Sequence, residues 1–180
     1  MKKNILLLMQ IFLVIGVFTL SAKAQAPSPA MQIEEMKKVN FLIGEWRGEG
    51  WIRLTQNNRE TVKQSETVQS KLGGVTMVIE GLGKSTDGKE RIVHNALAVI
   101  SYDIQKKVHR VSTYQANGQA IEAEAKVGNN TLEWGFKSER GTVRFTIKLT
   151  EKGEWNEVGD FSPDGKDWFK FMEMTLQRVK

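Results

Sequence analysis

The side chain in this sequence that is best suited to chemistry is that of His94. It lies in an alternating apolar stretch, where the small residues Ala96 and Ala98 leave space beside it. An imidazole in such a place can exchange a proton near neutral pH, or it can form hydrogen bonds from a pocket wall. The next predicted strand would bring Tyr114 or Gln115 close to it. We therefore assign His94, Tyr114 and Gln115 to a candidate ligand-binding site.

Three carboxylates, Glu66, Glu80 and Glu173, are further candidates for chemistry. They are far apart in the sequence, so they can do acid–base work only if the fold brings them into one cavity. In the alternative interpretation they are solvated or ion-paired. We include Glu66 and Glu173 in the predicted ligand site, and we assign no residue a catalytic role.

The sequence carries none of the familiar catalytic or phosphate-binding motifs. It has no cysteine and no Gly-x-Ser-x-Gly element, and Gly83-Lys84-Ser85 lacks the earlier glycine of a phosphate loop. The two histidines, His94 and His109, are predicted on neighbouring antiparallel strands with His109 opposite about Ile100. That places them about six residues, or about 20 Å, apart. We therefore expect no metal site.

The first 24 residues have the three parts of a secretory signal peptide. Lys2 and Lys3 precede an apolar run over 5–20, and an Ala-x-Ala spacing ends at Ala24. The apolar run is shorter than the roughly 20 residues of a spanning helix, so a membrane anchor is the weaker interpretation. We expect cleavage after Ala24, a periplasmic or secreted protein, and no membrane contact afterwards.

The charge balance argues against nucleic acid as a partner. The whole chain has a net charge of +5, but loss of residues 1–24 removes three lysines and no acid, which leaves +2. Basic and acidic residues are interspersed, as on a solvated surface. The remaining 156 of 180 residues are enough for one domain with its own core. We expect a monomer or a weak dimer.

From residue 41 onward the sequence predicts one β-strand after another. Side chains alternate along each run, and Asn-Gly, Asp-Gly or other short glycine-containing turns separate the runs. The predicted strands are 46–55, 59–72, 75–83, 90–102, 108–115, 120–127, 131–137, 142–150, 155–161 and 168–179. Hairpin links alone predict an all-β fold, a ten-stranded antiparallel up-and-down β-barrel over 41–180, because closure removes exposed edges. Such a barrel usually encloses a small-ligand cavity.

Residues 25–40 are predicted to form a linker and a short N-terminal helix. Ser28 can cap this helix, with Pro29 at its first position, and the helix would run to about residue 39. Its inner side would carry Met31, Ile33 and Met36.

The first strand contains Gly44-Glu45-Trp46-Arg47-Gly48-Glu49-Gly50-Trp51. In an extended segment Trp46, Gly48 and Gly50 share one face with Ile52 and Leu54, because side chains alternate. The glycines after the large aromatic ring leave room for other groups to approach the backbone. Without further support this is an ordinary first strand with a core tryptophan.

This segment resembles the opening Gly-x-Trp-x-Gly strand of the calycin superfamily. The resemblance is strongest to nitrobindin-like barrels and to their bacterial lipocalin-like relatives of unknown function, and it covers about residues 41–180. It continues in Val93-His94-Asn95, Ser101-Tyr102-Asp103, Asn117-Gly118, Gly73-Gly74 and the segments 162–168 and 171–176. The resemblance implies that a basic residue of the last strand, here Arg178, covers the tryptophan. Gly44, Trp46, Gly48 and Arg178 would then form a structural signature.

One departure from the resembling family concerns haem. Nitrobindins hold haem iron through a histidine in a last-strand His-Leu-His-Val-Thr-Tyr segment. The matching segment here is Phe171-Met172-Glu173-Met174-Thr175-Leu176, which has neither histidine. Phenylalanine has no donor atom, and a carboxylate suits haem iron poorly. The resemblance therefore supports the barrel and argues against haem, and we assign no cofactor.

These observations together predict an exported β-barrel that binds a small, partly apolar molecule. One alternative is an isomerase- or hydrolase-type enzyme that uses His94 with a carboxylate inside the barrel. Another is an adaptor that binds a protein through its outer surface. Contact between His94 and a carboxylate would favour the enzyme, and a dry, filled barrel would favour the adaptor. The sequence leaves open which face of the last strand points inward.

Overall fold

A computed structural model describes residues 29–55 and 58–180 of the chain. The predicted signal peptide, the linker up to residue 28 and the Ser28 cap lie outside the described residues. Within them, no helix is long and apolar enough to cross a membrane.

Ten antiparallel strands make up most of the described chain, and they close into a barrel. They are β1 Gly44–Thr55, β2 Asn58–Lys71, β3 Thr76–Ser85, β4 Ile92–Asp103, β5 Val108–Gln115, β6 Ala120–Gly128, β7 Thr131–Ser138, β8 Gly141–Leu149, β9 Trp155–Ser162 and β10 Phe169–Arg178. Each strand pairs with the next in sequence, and β1 pairs with β10. In that last pairing Trp46 lies opposite Arg178 and Ile52 opposite Met172. The predicted ten-stranded up-and-down barrel is confirmed.

The hairpins form where the sequence supplies turn chemistry. The Asn117 side-chain oxygen accepts a hydrogen bond from the amide of Gln119 at 3.0 Å, and Gly118 between them has φ +87°. A left-handed φ of this kind favours glycine, because a side chain would strain the turn. Side-chain bonds from asparagine and aspartate therefore hold the strands in register at their ends.

The pairing of β4 with β5 differs from the prediction by two residues. His109 lies opposite Tyr102, not opposite Ile100. The reason is the turn, in which the Asp103 carboxylate accepts hydrogen bonds from the amides of Gln105 and Lys106, both at 3.0 Å. These bonds stabilise a four-residue loop, so the pair next to the turn is Asp103 with Val108 and not Tyr102 with Lys107.

A short lead-in covers one end of the barrel. It consists of α1, Pro29–Lys37, and a 3-10 turn, Asn40–Leu42. Met36, Val39 and Leu42 are buried against the barrel core. The Gln32 amide donates to the carbonyl oxygen of Tyr102 at 3.0 Å, which fixes the helix on the end of β4. We call this the closed end.

One helix residue was placed wrongly by the sequence. Met31 was expected on the inner side, but it is 56% exposed. Buried Met36 follows it by five positions, which puts the two side chains on different faces of a helix with 3.6 residues per turn. The helix also ends at Lys37, two residues earlier than expected.

Trp46 is the centre of the core at the closed end. Its indole nitrogen donates to the carbonyl oxygen of Leu42 at 2.7 Å, and its ring meets that of Trp155 edge-on at 5.6 Å between centroids. The tryptophan is fully buried. An indole buries a large apolar area and needs one hydrogen-bond acceptor, and both requirements are met here.

Arg178 covers the outer side of this tryptophan, as the resemblance implied. Its guanidinium carbon lies 4.1 Å from the centroid of the Trp46 ring. The same guanidinium donates to the carbonyl oxygens of Ile43 and Phe41, the latter at 2.8 Å. The last strand is thereby bound both to the first strand and to the lead-in.

We expect the variant Arg178→Met to lower the free energy of unfolding by about 2 kcal/mol, measured by urea denaturation. Methionine keeps an apolar stem over the indole but loses the cation–π contact and both hydrogen bonds.

The matched control is Lys180→Met. Lys180 forms an exposed ion pair with Glu45 at 3.3 Å, and the loss of such a pair changes stability by less than about 1 kcal/mol. Equal effects of the two variants would contradict the role given to Arg178.

Candidate functional site

A cavity of about 290 Å³ lies inside the barrel. Its lining includes His94, Gln115 and Phe171, which lie on the parts of β4, β5 and β10 farthest from the closed end. The cavity therefore reaches the opposite end of the barrel, which we call the open end. Its volume is near the lower limit of about 300 Å³ for small-molecule sites.

One wall of the cavity is aromatic and aliphatic. The rings of Trp134 and Phe145 stack at 4.6 Å, and Phe145 meets Phe171 edge-on at 5.7 Å. Leu132 and Ile147 continue this wall. The side chains come from β7, β8 and β10, and they offer a flat apolar surface to a ligand.

The facing wall, on β3 and β4, consists of small residues. Gly81, Ala96 and Ala98 line the cavity here. A Cβ atom at Gly81 would lie 2.8 Å from both carboxyl oxygens of Glu66, so a larger side chain there would displace this carboxyl group. The cavity exists because these positions hold small side chains.

Two polar side chains of β2 fold into the space that β3 leaves. Gln64 and Glu66 are each only 4% exposed, and the Gln64 amide donates to Glu66 Oε1 at 2.7 Å. They lie between buried Val62 and Val68 on the same face of the strand. Glu66 is thus one of the predicted site residues that does face the interior.

A second carboxyl, Glu157 of β9, faces the same cavity. Trp155 donates its indole N–H to Glu157 Oε2 at 3.2 Å. Glu157 is partly buried, and it lines the cavity. Glu157 was not among the predicted site residues, although alternation from Trp155 places it on the inner face.

Burial makes both carboxyls weak acids. Burial raises the pKa of Glu66 to about 8, and the neighbouring Glu157 carboxylate raises it further, while the hydrogen bond from Gln64 opposes the shift. Burial also raises the pKa of Glu157 to about 7, against the hydrogen bond from Trp155. Near neutral pH this pair therefore retains protons that exposed carboxylates would have lost.

Two further polar groups line the cavity. Thr113 is 7% exposed, and its hydroxyl oxygen has no hydrogen-bond partner in the described part of the chain. His94 lies at the open end with one side toward solvent, and burial of its other side lowers its pKa. Its imidazole is therefore neutral at pH 7, with one nitrogen free to donate and the other to accept.

The predicted site residues fall into two groups. Glu66, His94, Gln115 and Glu173 all border the cavity. Tyr114 does not, and its placement was wrong: it is 52% exposed, because it alternates with inward-facing Thr113. A ligand-binding role for the residues at the cavity remains a prediction.

The structure shows which face of strand β10 points inward, which the sequence left open. Met174 and Leu176 are buried, so the even-numbered side chains point inward from Met172 onward, after the bulge between Lys170 and Met172, and Phe171 lines the cavity at the bulge itself. Glu173 borders the cavity near the bulge between Lys170 and Met172, and its carboxylate pairs with Lys170 at 3.0 Å. The remaining candidate, Glu80, is exposed on the outer face of β3.

The histidines do not come together. His109 is buried at the closed end, where its Nε2 lies 3.1 Å from the carbonyl oxygen of Glu35, whereas His94 is at the open end. Within residues 29–55 and 58–180, no group of three His, Asp or Glu side chains is arranged to hold a metal ion.

Comparison with solved structures supports the architecture. The crystal structure of Rv2717c from M. tuberculosis matches with a TM-score of 0.59 and 8% sequence identity, over 81% of this chain and 97% of that one. The S-type phycobiliprotein lyase CPES from Guillardia theta matches with a TM-score of 0.54 and 12% identity, over 84% and 95% of the two chains.

At these identities the likeness establishes the fold alone. Both neighbours are ten-stranded antiparallel barrels, consistent with a calycin-like fold. No family model matches the chain, and no curated protein sequence matches it. The comparisons therefore support a closed ten-stranded antiparallel β-barrel and do not indicate the chemistry of its cavity.

The buried Glu66 predicts a stability that falls as pH rises. Its pKa is 4.5 in a model peptide and about 8 in the folded chain. Above about pH 4.5 the unfolded chain loses this proton freely, while the folded chain retains it up to about pH 8. The stabilisation is thus complete below pH 4.5, and roughly 5 kcal/mol is lost by the time pH exceeds 8.

We expect Glu66→Gln to flatten this decline and to raise the melting temperature at pH 8, measured by thermal unfolding between pH 5 and pH 9. Part of the slope should remain, because Glu157 titrates in the same direction. Glu173→Gln, at the edge of the cavity, is the control and should leave the slope unchanged. An unaltered slope in Glu66→Gln would show that this carboxyl is not buried as described.

Proposed function

We propose that this protein is exported and binds a small, partly apolar ligand inside its barrel, as a monomer or weak dimer. The observation that carries the proposal is the cavity, which combines an aromatic wall with a few inward-facing polar groups. Ligand sites in proteins have this composition, since apolar surface supplies affinity and sparse polar groups fix orientation. In the mature sequence basic and acidic residues are interspersed, so the charge pattern offers no basic surface to nucleic acid or to a membrane.

The polar groups occupy two levels of the cavity. Gln64, Glu66 and Glu157 lie deep, whereas His94 and Gln115 lie toward the open end. A ligand that enters from the open end would meet the neutral imidazole of His94 first, and it would place its apolar part against Phe145 and Phe171. We propose His94 and Gln115 as orienting residues.

A second candidate function is catalysis of the isomerase or hydrolase type. Two carboxyls with raised pKa that face one cavity are a suitable acid–base pair, and one neighbour of the same fold is called a lyase. His94 is the weaker partner in this scheme, because it forms no hydrogen bond or ion pair with a carboxylate within the described residues. The cavity itself argues against an adaptor with a filled barrel.

The binding proposal predicts that 2-phenylethanol, a small amphipathic probe, binds with a dissociation constant below about 1 mM. Binding should quench or shift tryptophan fluorescence, since Trp155 and Trp134 line the cavity. Ala96→Phe should weaken binding more than about tenfold, because the phenyl group fills the space beside Gly81.

The control for this variant is Val99→Phe, on the outward-facing side of the same strand, which should bind like the wild type. Melting temperatures of both variants show whether the barrel is intact. If no probe of this size binds, or if Ala96→Phe binds as well as the wild type, the cavity is not the ligand site.

We also propose that the protein does not bind haem in the nitrobindin manner. The strand positions that would supply the axial ligand hold Phe171 and Glu173, neither of which suits haem iron. We expect hemin titration to give no sharp, stoichiometric Soret band. Such a band that survives His94→Ala would overturn this proposal, and one that His94→Ala abolishes would place an axial ligand on β4.

A further inference from the structure

The ionisable groups around the cavity are mainly acidic. Glu66 on β2, Glu157 on β9 and Glu173 on β10 border it, together with the neutral His94 on β4. The other strands contribute no ionisable side chain to the lining, and no lysine or arginine lines the cavity in the described residues. Lys170 forms an ion pair with Glu173 at the edge of the cavity. The deep pair, Glu66 and Glu157, has no protein cation beside it.

Each carboxyl of the deep pair uses only one oxygen atom in a hydrogen bond. Gln64 donates to Glu66 Oε1, and Trp155 donates to Glu157 Oε2. Across the described ranges, Glu66 Oε2 and Glu157 Oε1 accept no hydrogen bond from the protein. Buried carboxyl oxygens normally have donors, so these two atoms are available to a bound molecule.

A third atom without a hydrogen-bond partner lines the same cavity. The Thr113 hydroxyl is more than nine-tenths buried, lines the same cavity from β5, and has no partner among the described residues. A buried hydroxyl without a partner is costly unless something else meets it. Thr113 is independent of the acidic pair, and it indicates that the cavity is shaped to receive a polar group.

We propose that the ligand carries a protonated amine that lies between Glu66 and Glu157, with an apolar body on the aromatic wall. This inference rests on the proposed function and names its ligand class. An alkylammonium group has three N–H donors and no acceptor, which matches the free oxygens of two carboxylates and one hydroxyl. The cation also removes the repulsion between the carboxylates and compensates for their burial.

Binding of a cation must release protons. In the free protein at neutral pH the pair retains protons because both carboxyls are desolvated and the charge of Glu157 raises the pKa of Glu66. An ammonium ion favours the ionised carboxylates, so their protons leave as the amine enters. Amine affinity should therefore rise as pH increases from 6 to 8, and level off above pH 8. A neutral hydrogen-bond acceptor would behave in the opposite way, because it needs the protonated carboxyls as donors.

The test is isothermal titration calorimetry of the purified protein with matched probes. The amines are benzylamine, 2-phenylethylamine and 3-phenylpropylamine, each compared with the alcohol of the same chain length. Titrations at pH 6, 7 and 8, in two buffers with different heats of ionisation, count the protons released. At pH 8 we expect the best amine to bind at least about tenfold tighter than its alcohol, since charge-assisted bonds are the stronger ones.

Variants then assign the effect to residues. Glu66→Gln and Glu157→Gln should each weaken amine binding at least about tenfold while alcohol binding changes less than about threefold. Glu80→Gln, exposed on the outer face of β3 and outside the cavity lining, should leave both affinities unchanged. Proton release by the wild type is a separate readout that depends on no variant folding correctly.

The failures are distinguishable. Equal affinity for amine and alcohol, or affinity that falls as pH rises, overturns the amine assignment and leaves the proposed ligand-binding function intact. Amine binding that both glutamine variants retain overturns the placement between Glu66 and Glu157. Absence of binding for every amine and every alcohol overturns the proposed function and this inference together.

Discussion

Burial of Trp46 at the closed end is the interaction on which the rest of the structure depends. The ring joins three parts of the chain that are distant in sequence: the lead-in through Leu42, β9 through Trp155 and the last strand through Arg178. Barrel closure brings β10 beside β1, and the guanidinium and indole hold that junction. Because the lead-in packs over the same tryptophan, this end is shut and a ligand has to use the other end.

Glycine positions then decide where the interior is tight and where it is empty. A Cβ at Gly48 or Gly50 would collide with the backbone or side chains of β10, so glycine lets the first and last strands approach each other. Gly81 has a different effect, since it makes room for the carboxyl of Glu66. The same residue type closes the barrel on one side and opens a polar recess on the other.

The architecture could be predicted from sequence because it depends on local signals, namely alternation and turn residues. The site was predictable only in part, because side-chain direction depends on register. His94 and Glu66 share inward faces with clear neighbours, whereas Tyr114 was misplaced because its facing side could not be fixed. Glu157 was missed because Asn156 and Glu157 together resemble a solvated surface, and only the buried Trp155 reveals their orientation. The prediction for Met31 was wrong because a short helix cannot bury every one of its apolar residues against the barrel.

The two ends of the barrel differ in how completely their polar atoms are satisfied. At the closed end the indole of Trp46, the imidazole of His109 and the carbonyl of Tyr102 all have partners. In the cavity the Thr113 hydroxyl has no partner among the described residues, and Glu66 and Glu157 each accept a hydrogen bond at one carboxyl oxygen only. A barrel selected for stability alone would fill this space with apolar side chains, because buried ionisable groups without partners are destabilising. The unsatisfied atoms therefore mark where the structure is destabilised, and this contrast supports the proposal that the cavity is the ligand site.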